Sequence, residues 1–274
     1  MAKNKAQAQS TDVRKKAQDM REAQRKADVR TRNIIIGVVS LLVVAIAVAI
    51  VMIIVNRPSA EQSAQGLPEE FRNGEPIVVN TQGVSAGPTE QVDDQLAFYF
   101  DYTCGGCVAL DSAVGPDLFE GASAGDLTLA LHPVMTHNAP FNLAATSAAI
   151  QVAASDPTNF AALHQALIEF SYQSMVDQDT SVLNDLENSK TKVAEIAAQV
   201  GIPQAVIDSF DTDAGQAYLD ATSAAWRTTE AEGRGEGLSS PEMVYNKVQL
   251  TPAGQTGTEI YQSILSQMAE ISGN

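Results

Sequence analysis

The longest unbroken apolar run, residues 34–55 (IIIGVVSLLVVAIAVAIVMIIV), has 22 residues and no charge. A helix of that length rises about 33 Å, enough to cross the hydrocarbon core of a bilayer. It exceeds the apolar region of a cleaved signal peptide, so the pattern predicts a retained single-pass anchor. Residues 56–76 (NRPSAEQSAQGLPEEFRNGEP) lose all periodicity. They predict a tether with a flexible reach of about 25 Å.

Beyond the tether the apolar segments shorten. IVVN at 77–80 predicts a first strand, followed by a Gly/Pro/Ser loop at 83–88. Residues 96–102, opening Leu96-Ala97-Phe98-Tyr99-Phe100, predict a second and buried strand. Val108, Leu110, Ala113, Val114 and Leu118 then recur at helical spacing, with Gly115-Pro116 expected to kink or split the helix. Residues 127–132 alternate as a third strand, which completes a βαβ unit.

From residue 141 to about 232 there is no strand signal. Phe160, Leu163, His164, Leu167 and Ile168 share one helical face, and Val182 to Val200 predicts more helix with a break near Asn188-Ser189. Pro203 suits a first helical position. Residues 233–237 (GRGEG) follow no strand and open no helix, so they predict a loop and no nucleotide site. Alternation at 238–250 around Asn246-Lys247 predicts a hairpin whose first strand begins at Pro241. Thr256-x-x-Glu259 predicts a capping box for a last helix with Ile260, Tyr261, Ile264, Leu265, Met268 and Ile271 inward. The pattern is that of an α/β domain (77–136 and 233–274) with an inserted helical subdomain (137–232).

Charge sharpens the topology. Of 17 Lys/Arg and 33 Asp/Glu, ten and four fall in residues 1–33, leaving seven against 29, a net of −22 for the rest. The basic flank predicts a cytoplasmic tail at 1–33 and an extracytoplasmic body, held at the cell membrane by the anchor. An acidic body repels phosphate backbones, so nucleic acid is not an expected partner.

The chain has two cysteines, Cys104 and Cys107, where the second strand gives way to a helix. A thiol there meets the positive end of the helix dipole and unpaired backbone N–H groups, which favour the thiolate needed for thiol–disulfide exchange. Outside the cytoplasm such a pair meets oxidants and persists as a couple only if a partner resets it. Other readings stand beside this one. A structural disulfide would close a very short loop and add little stability. A metal site would have to recruit His132, His137 or His164, whose spacing fits no zinc pattern; none is expected. Inert buried cysteines are the last alternative.

The order Cys-x-x-Cys at a strand-to-helix turn, helical insertion, Gly-Leu-Ser-Ser-Pro-x-x-Val-Tyr-Asn at 237–246 and a final helix resembles the thioredoxin fold. More closely it resembles the DsbA-like branch, and within it the membrane-anchored envelope proteins of monoderm bacteria. The resemblance covers about residues 77–272. It implies a thioredoxin-like core of mixed sheet flanked by helices, and a thiol–disulfide oxidoreductase with no cofactor beyond a redox-active Cys104–Cys107 disulfide. Cys104 would be the exposed nucleophile and Cys107 the buried resolving thiol, with Thr103, Gly105 and Gly106 completing the motif. Pro241 would be a cis-proline facing them, and Ser240 would offer its backbone to an extended client. The helical block would be a lid over a groove for that client. Partners would be cysteine-containing secreted or envelope proteins and a membrane reoxidant or reductant.

One departure bears on the chemistry. Strongly oxidising relatives place Pro-His between the cysteines, where this chain has Gly105-Gly106. That predicts a less acidic Cys104 and a less oxidising couple. The same glycines favour an alternative, a non-enzymatic thioredoxin-fold binding or chaperone module. Metal handling by Cys104, Cys107 and a histidine is a third.

Overall fold

The computed structural model describes residues 20, 25, 35–52 and 63–273. The basic tail apart from residues 20 and 25, both ends of the apolar run, and residues 56–62 of the expected 56–76 tether lie outside the described residues; the rest of that stretch is not free chain, since Leu67 and Phe71 are buried in the main core. The chain divides into two units, Met1–Pro58 and Ser59–Asn274. Among the described residues of the first, one helix, Ile35–Met52, is long and apolar enough to cross a membrane, with mean hydropathy 3.2 and every side chain exposed.

The second unit is built on a six-stranded sheet of order β2-β1-β4-β3-β5-β6. Its strands are β1 (Ile77–Asn80), β2 (Gly83–Ala86), β3 (Leu96–Phe100), β4 (Leu129–Pro133), β5 (Glu242–Tyr245) and β6 (Val248–Leu250). β3 and β4 run parallel, joined through helix α1 (Gly105–Ala124), and every other pairing is antiparallel. The expected βαβ unit is therefore present at the centre of a mixed sheet. β3 is covered on both faces, which is why it reads as a near-continuous apolar run. Phe98 and Phe100 join the main core with α1, while Tyr99 packs with Val134, Trp226 and Val244 on the other face.

Between β4 and β5 the described chain is helical: α2 (Pro140–Ser155), α3 (Phe160–Val176), α4 (Leu186–Gln199), the short α5 (Gln204–Ile207) and α6 (Thr212–Thr228). The last helix, α7 (Gly257–Ser272), opens with the expected Thr256–Glu259 capping box. Tyr261, Ile264 and Met268 of α7 are buried, and α7 lies against α1. Gly121 permits that approach, since a Cβ there would collide with the Tyr261 hydroxyl. Asn246 and Lys247 both take positive φ (47° and 64°), the two-residue turn whose twist matches a hairpin.

Several expectations need correction. The loop expected from residue 83 is in part strand β2; its Gly, Ser and Ala have little strand propensity, and pairing along β1 holds them. α1 is not split at Gly115-Pro116 but runs through Pro116 as one helix. Packing against α3 and α7 offsets a proline cost of roughly 3 kcal/mol. No break occurs at Asn188-Ser189, because α4 only begins at Leu186, where the Asp185 carboxylate caps the Asn188 N–H. Pro203 is the N-cap of α5, not its first helical residue, and that helix has four residues. β3 stops at Phe100 rather than at 102, and Pro241 immediately precedes β5.

Candidate active site

Three segments converge beyond the carboxyl ends of β3 and β4: the loop into α1, the loop 134–139, and the turn before β5. Asp101 organises the first two. It is fully buried, yet both its carboxylate oxygens have donors. Its Oδ1 accepts from the Thr103 N–H (2.7 Å) and hydroxyl (2.6 Å). Its Oδ2 accepts from the Thr136 N–H (2.8 Å), the Thr136 hydroxyl (2.9 Å) and the His137 N–H (3.1 Å). Asn142 of α2 adds a second tie, accepting from the Tyr102 N–H at 3.1 Å and donating to the Val134 carbonyl at 3.0 Å. The chain is thus turned sharply off β3 and delivered to the start of α1 with its polar groups satisfied.

Cys104 is the N-cap of α1, and its N–H donates to the Asp101 carbonyl at 3.0 Å. Cys107 lies one turn on and is fully buried. Both are free thiols in this structure. Ser240 approaches from the third segment, across the cis Ser240–Pro241 bond. The Cys104 thiol has the Ser240 carbonyl as an acceptor at 3.6 Å, and the Ser240 hydroxyl donates to Cys104 Sγ at 3.5 Å. The Pro241 ring lies against Gly106, where a Cβ would sit 3.2 Å from its Cδ. Thr103, Cys104, Gly105, Gly106, Cys107, Ser240 and Pro241 are therefore brought together. One expectation is corrected: Cys104 keeps only 7% of its surface exposed. Ser240 closes on its sulfur, and Met175 of α3 stands over the neighbouring Gly105.

Electrostatics separate the two sulfurs. Cys104 is lowered from its ordinary value of 9.0 to about 5, chiefly by the hydrogen bond from the Cys107 thiol. Burial opposes this; the Ser240 hydroxyl and the Cys107 backbone N–H add to it, and the Asp101 charge works weakly against it. Cys107 is pushed up, first by burial and then because it holds the proton that Cys104 shares. No cationic side chain is among the groups that set Cys104, so the thiolate rests on hydrogen bonds at a helix start.

None of the three histidines hydrogen-bonds to either sulfur. His164 is fully buried, linked to the Tyr102 hydroxyl (2.9 Å) and to Asp111 Oδ2 (2.9 Å). It is the hydrogen-bonded core residue its apolar helical face suggested. His137 is exposed and pairs with the Thr136 hydroxyl, and His132 stacks on Tyr99, where burial pushes it down to about 3. Sequence reasoning missed Asp101, Asn142 and the Glu242–Arg234–Trp226 group. The signals were slight: an acid ending a strongly apolar strand, and another directly after the proline.

No protein-family model matches the chain, and no curated protein matches its sequence. Its likeness is structural. The MdbA protein of Actinomyces oris, a thiol-disulfide oxidoreductase, superposes with a TM-score of 0.57 at 18% identity, over 74% of this chain and 92% of that one. DsbA from Mycobacterium tuberculosis gives 0.51 at 16% identity, over 73% and 93%. BdbD from Bacillus subtilis gives 0.51 at 15%, over 73% and 94%. The chain has the thioredoxin-like fold in its DsbA-like form, a mixed sheet with flanking helices and a helical insertion.

Proposed function

We propose that the chain is a thiol–disulfide oxidoreductase whose working couple is the Cys104–Cys107 pair, acting on cysteine-containing secreted or envelope proteins. The observation that carries this reading is the division of labour between the sulfurs: Cys104 lowered to about 5 at a helix start, Cys107 buried behind it and protonated. A low-pKa thiol is both a ready nucleophile and a ready leaving group at neutral pH.

In the oxidising direction a client thiolate attacks Cys104 Sγ of the disulfide. The Cys104–Cys107 bond breaks, Cys107 leaves with the electron pair and takes a proton. A second client thiolate then attacks the client sulfur of the mixed disulfide, and Cys104 leaves as its stabilised thiolate. The client loses two electrons and two protons; one proton goes to Cys107 and the other to solvent, and the pair keeps both electrons. A membrane-bound oxidant, quinone-linked in this reading, removes them again. An isomerase cycle uses the same mixed disulfide, with Cys104 released by a rearranged client thiol. The Ser240 backbone next to Cys104 offers an extended client a hydrogen-bonding edge, and the apolar helix Ile35–Met52 holds the domain at the outer face of the cell membrane.

The test is covalent trapping. A Cys107→Ser chain is expected to accumulate mixed disulfides with clients, visible as reducible bands on non-reducing gels and absent from Cys104→Ser. If no adducts form while Cys104 remains alkylatable, the catalytic reading fails and a binding module takes its place.

A further inference from the structure

Glu242 is the first residue of β5, directly after Pro241 and opposite Tyr99 of β3. Its carboxylate is 1% exposed, on a strand flanked by neighbours on both sides. A carboxylate there is tolerated only with full pairing. It has three donors: Arg234 Nε to Oε1 at 2.7 Å, Arg234 Nη2 to Oε2 at 2.8 Å, and Trp226 Nε1 to Oε2 at 2.6 Å. The remaining arm of the guanidinium, Nη1, donates to the Thr229 carbonyl at 2.7 Å. Tyr99, stacked on Trp226, is the titratable side chain that feels both charges.

Such a pair is a poor device for stability alone, since a matched apolar pair does as well. What a two-pronged ion pair adds is fixed geometry. Here it closes a loop. The chain leaves at Arg234, runs through Gly235-Glu236-Gly237-Leu238-Ser239, and returns at Ser240-Pro241 to Glu242. That loop has no regular structure between its ends, and its far end is Ser240, whose hydroxyl and carbonyl face Cys104 Sγ at 3.5 and 3.6 Å.

We infer that the Arg234–Glu242 ion pair, with Trp226 as third donor, is a positioning device that holds Ser240 against Cys104 and thereby tunes the reactivity of that sulfur. The biological meaning rests on the redox role proposed above. The effect on the sulfur does not, because it can be read without any client. Around Cys104 the other groups that bear on its ionisation are Cys107 and Asp101, and both are left intact by changes at the clamp.

The experiment is the pH profile of iodoacetamide alkylation at Cys104 in the reduced full-length chain in detergent. Cys107, being fully buried, contributes little to the signal. Arg234→Lys keeps the charge but loses the fork, so it is expected to fold with a lowered melting temperature and Cys104's apparent pKa higher by about 0.5–1. The paired change Arg234→Met/Glu242→Leu is expected to move the profile at least as far. Ser240→Ala alone should reproduce the rise, and adding Arg234→Lys to it should give nothing further. The chain has a single tryptophan, so a change in Trp226 emission verifies that the clamp has opened. The inference is overturned if Arg234→Lys leaves the profile where it was, whether or not the paired variant folds. It is equally overturned if Arg234→Lys shifts the profile as much in the Ser240→Ala background. Loss of client trapping with these shifts intact would count against the redox role and not against the clamp.

Discussion

At the scale of single residues, the acidity of Cys104 is the quantity from which the chemistry follows. Its thiol is lowered to about 5, so alkylation should rise with pH through that value and be flat by neutrality. An alkylation curve still climbing at pH 8 would contradict it. The same shift links to stability with a definite sign. A group depressed in the fold adds stability above its unfolded value, here 9.0, and loses it as pH falls toward about 5. The denaturation midpoint of the reduced chain, relative to Cys104→Ser, should therefore decline across that window. The two central glycines are not equivalent. A Cβ on Gly105 would stand 3.6 Å from Met175 Sδ, an ordinary contact, whereas one on Gly106 would crowd the Pro241 ring at 3.2 Å. Gly105→Ala should thus leave Cys104 unchanged, at a stability gain of up to about 1 kcal/mol. Gly106→Ala should push Pro241 and Ser240 outward and raise the thiol's pKa. Equal effects of the two on the alkylation profile would show that Pro241 does not sense this position.

At the scale of elements, α1 is held to the helical block by a polar bridge buried under the site. His164 of α3 links Asp111 of α1 to Tyr102 of the preceding loop, and Ser171 of α3 donates to the Tyr102 carbonyl. Asp111→Ala leaves the buried His164 Nε2 without its partner, so urea denaturation should show a loss of about 1–3 kcal/mol. A change within about 0.5 kcal/mol would mean that the bridge is incidental. Elements with a strong period were legible beforehand: β3, the helical run from 140 to 228, the 246–247 turn and the capped α7. Those governed by tertiary pairing were not. β2 exists because β1 lies beside it, and α1 survives Pro116 because two helices grip it. The same holds for the site. Cys104, Cys107, Ser240 and Pro241 carry their chemistry in their type and spacing. Asp101, Glu242 and Arg234 look like solvated charges in a string of letters, and only burial reveals what they hold.

At the scale of the whole molecule, the chain joins an apolar helix to a DsbA-like domain whose acidic surface is suited to a watery compartment. In the role proposed above the pair would cycle against an external oxidant or reductant, so its potential decides what it can do. With Cys104 lowered to about 5, its thiolate is less stabilised than that of a strong oxidant with a thiol pKa of about 3.5 and more than that of a reductant near about 7. The potential should fall between the corresponding limits of about −120 mV and about −270 mV. The most direct measurement is to equilibrate the purified full-length chain in glutathione buffers and count free thiols at each ratio. A single two-electron transition between those limits is the expected result. Thiols that stay free at every ratio, or a potential at the strongly oxidising limit, would contradict the account of this pair.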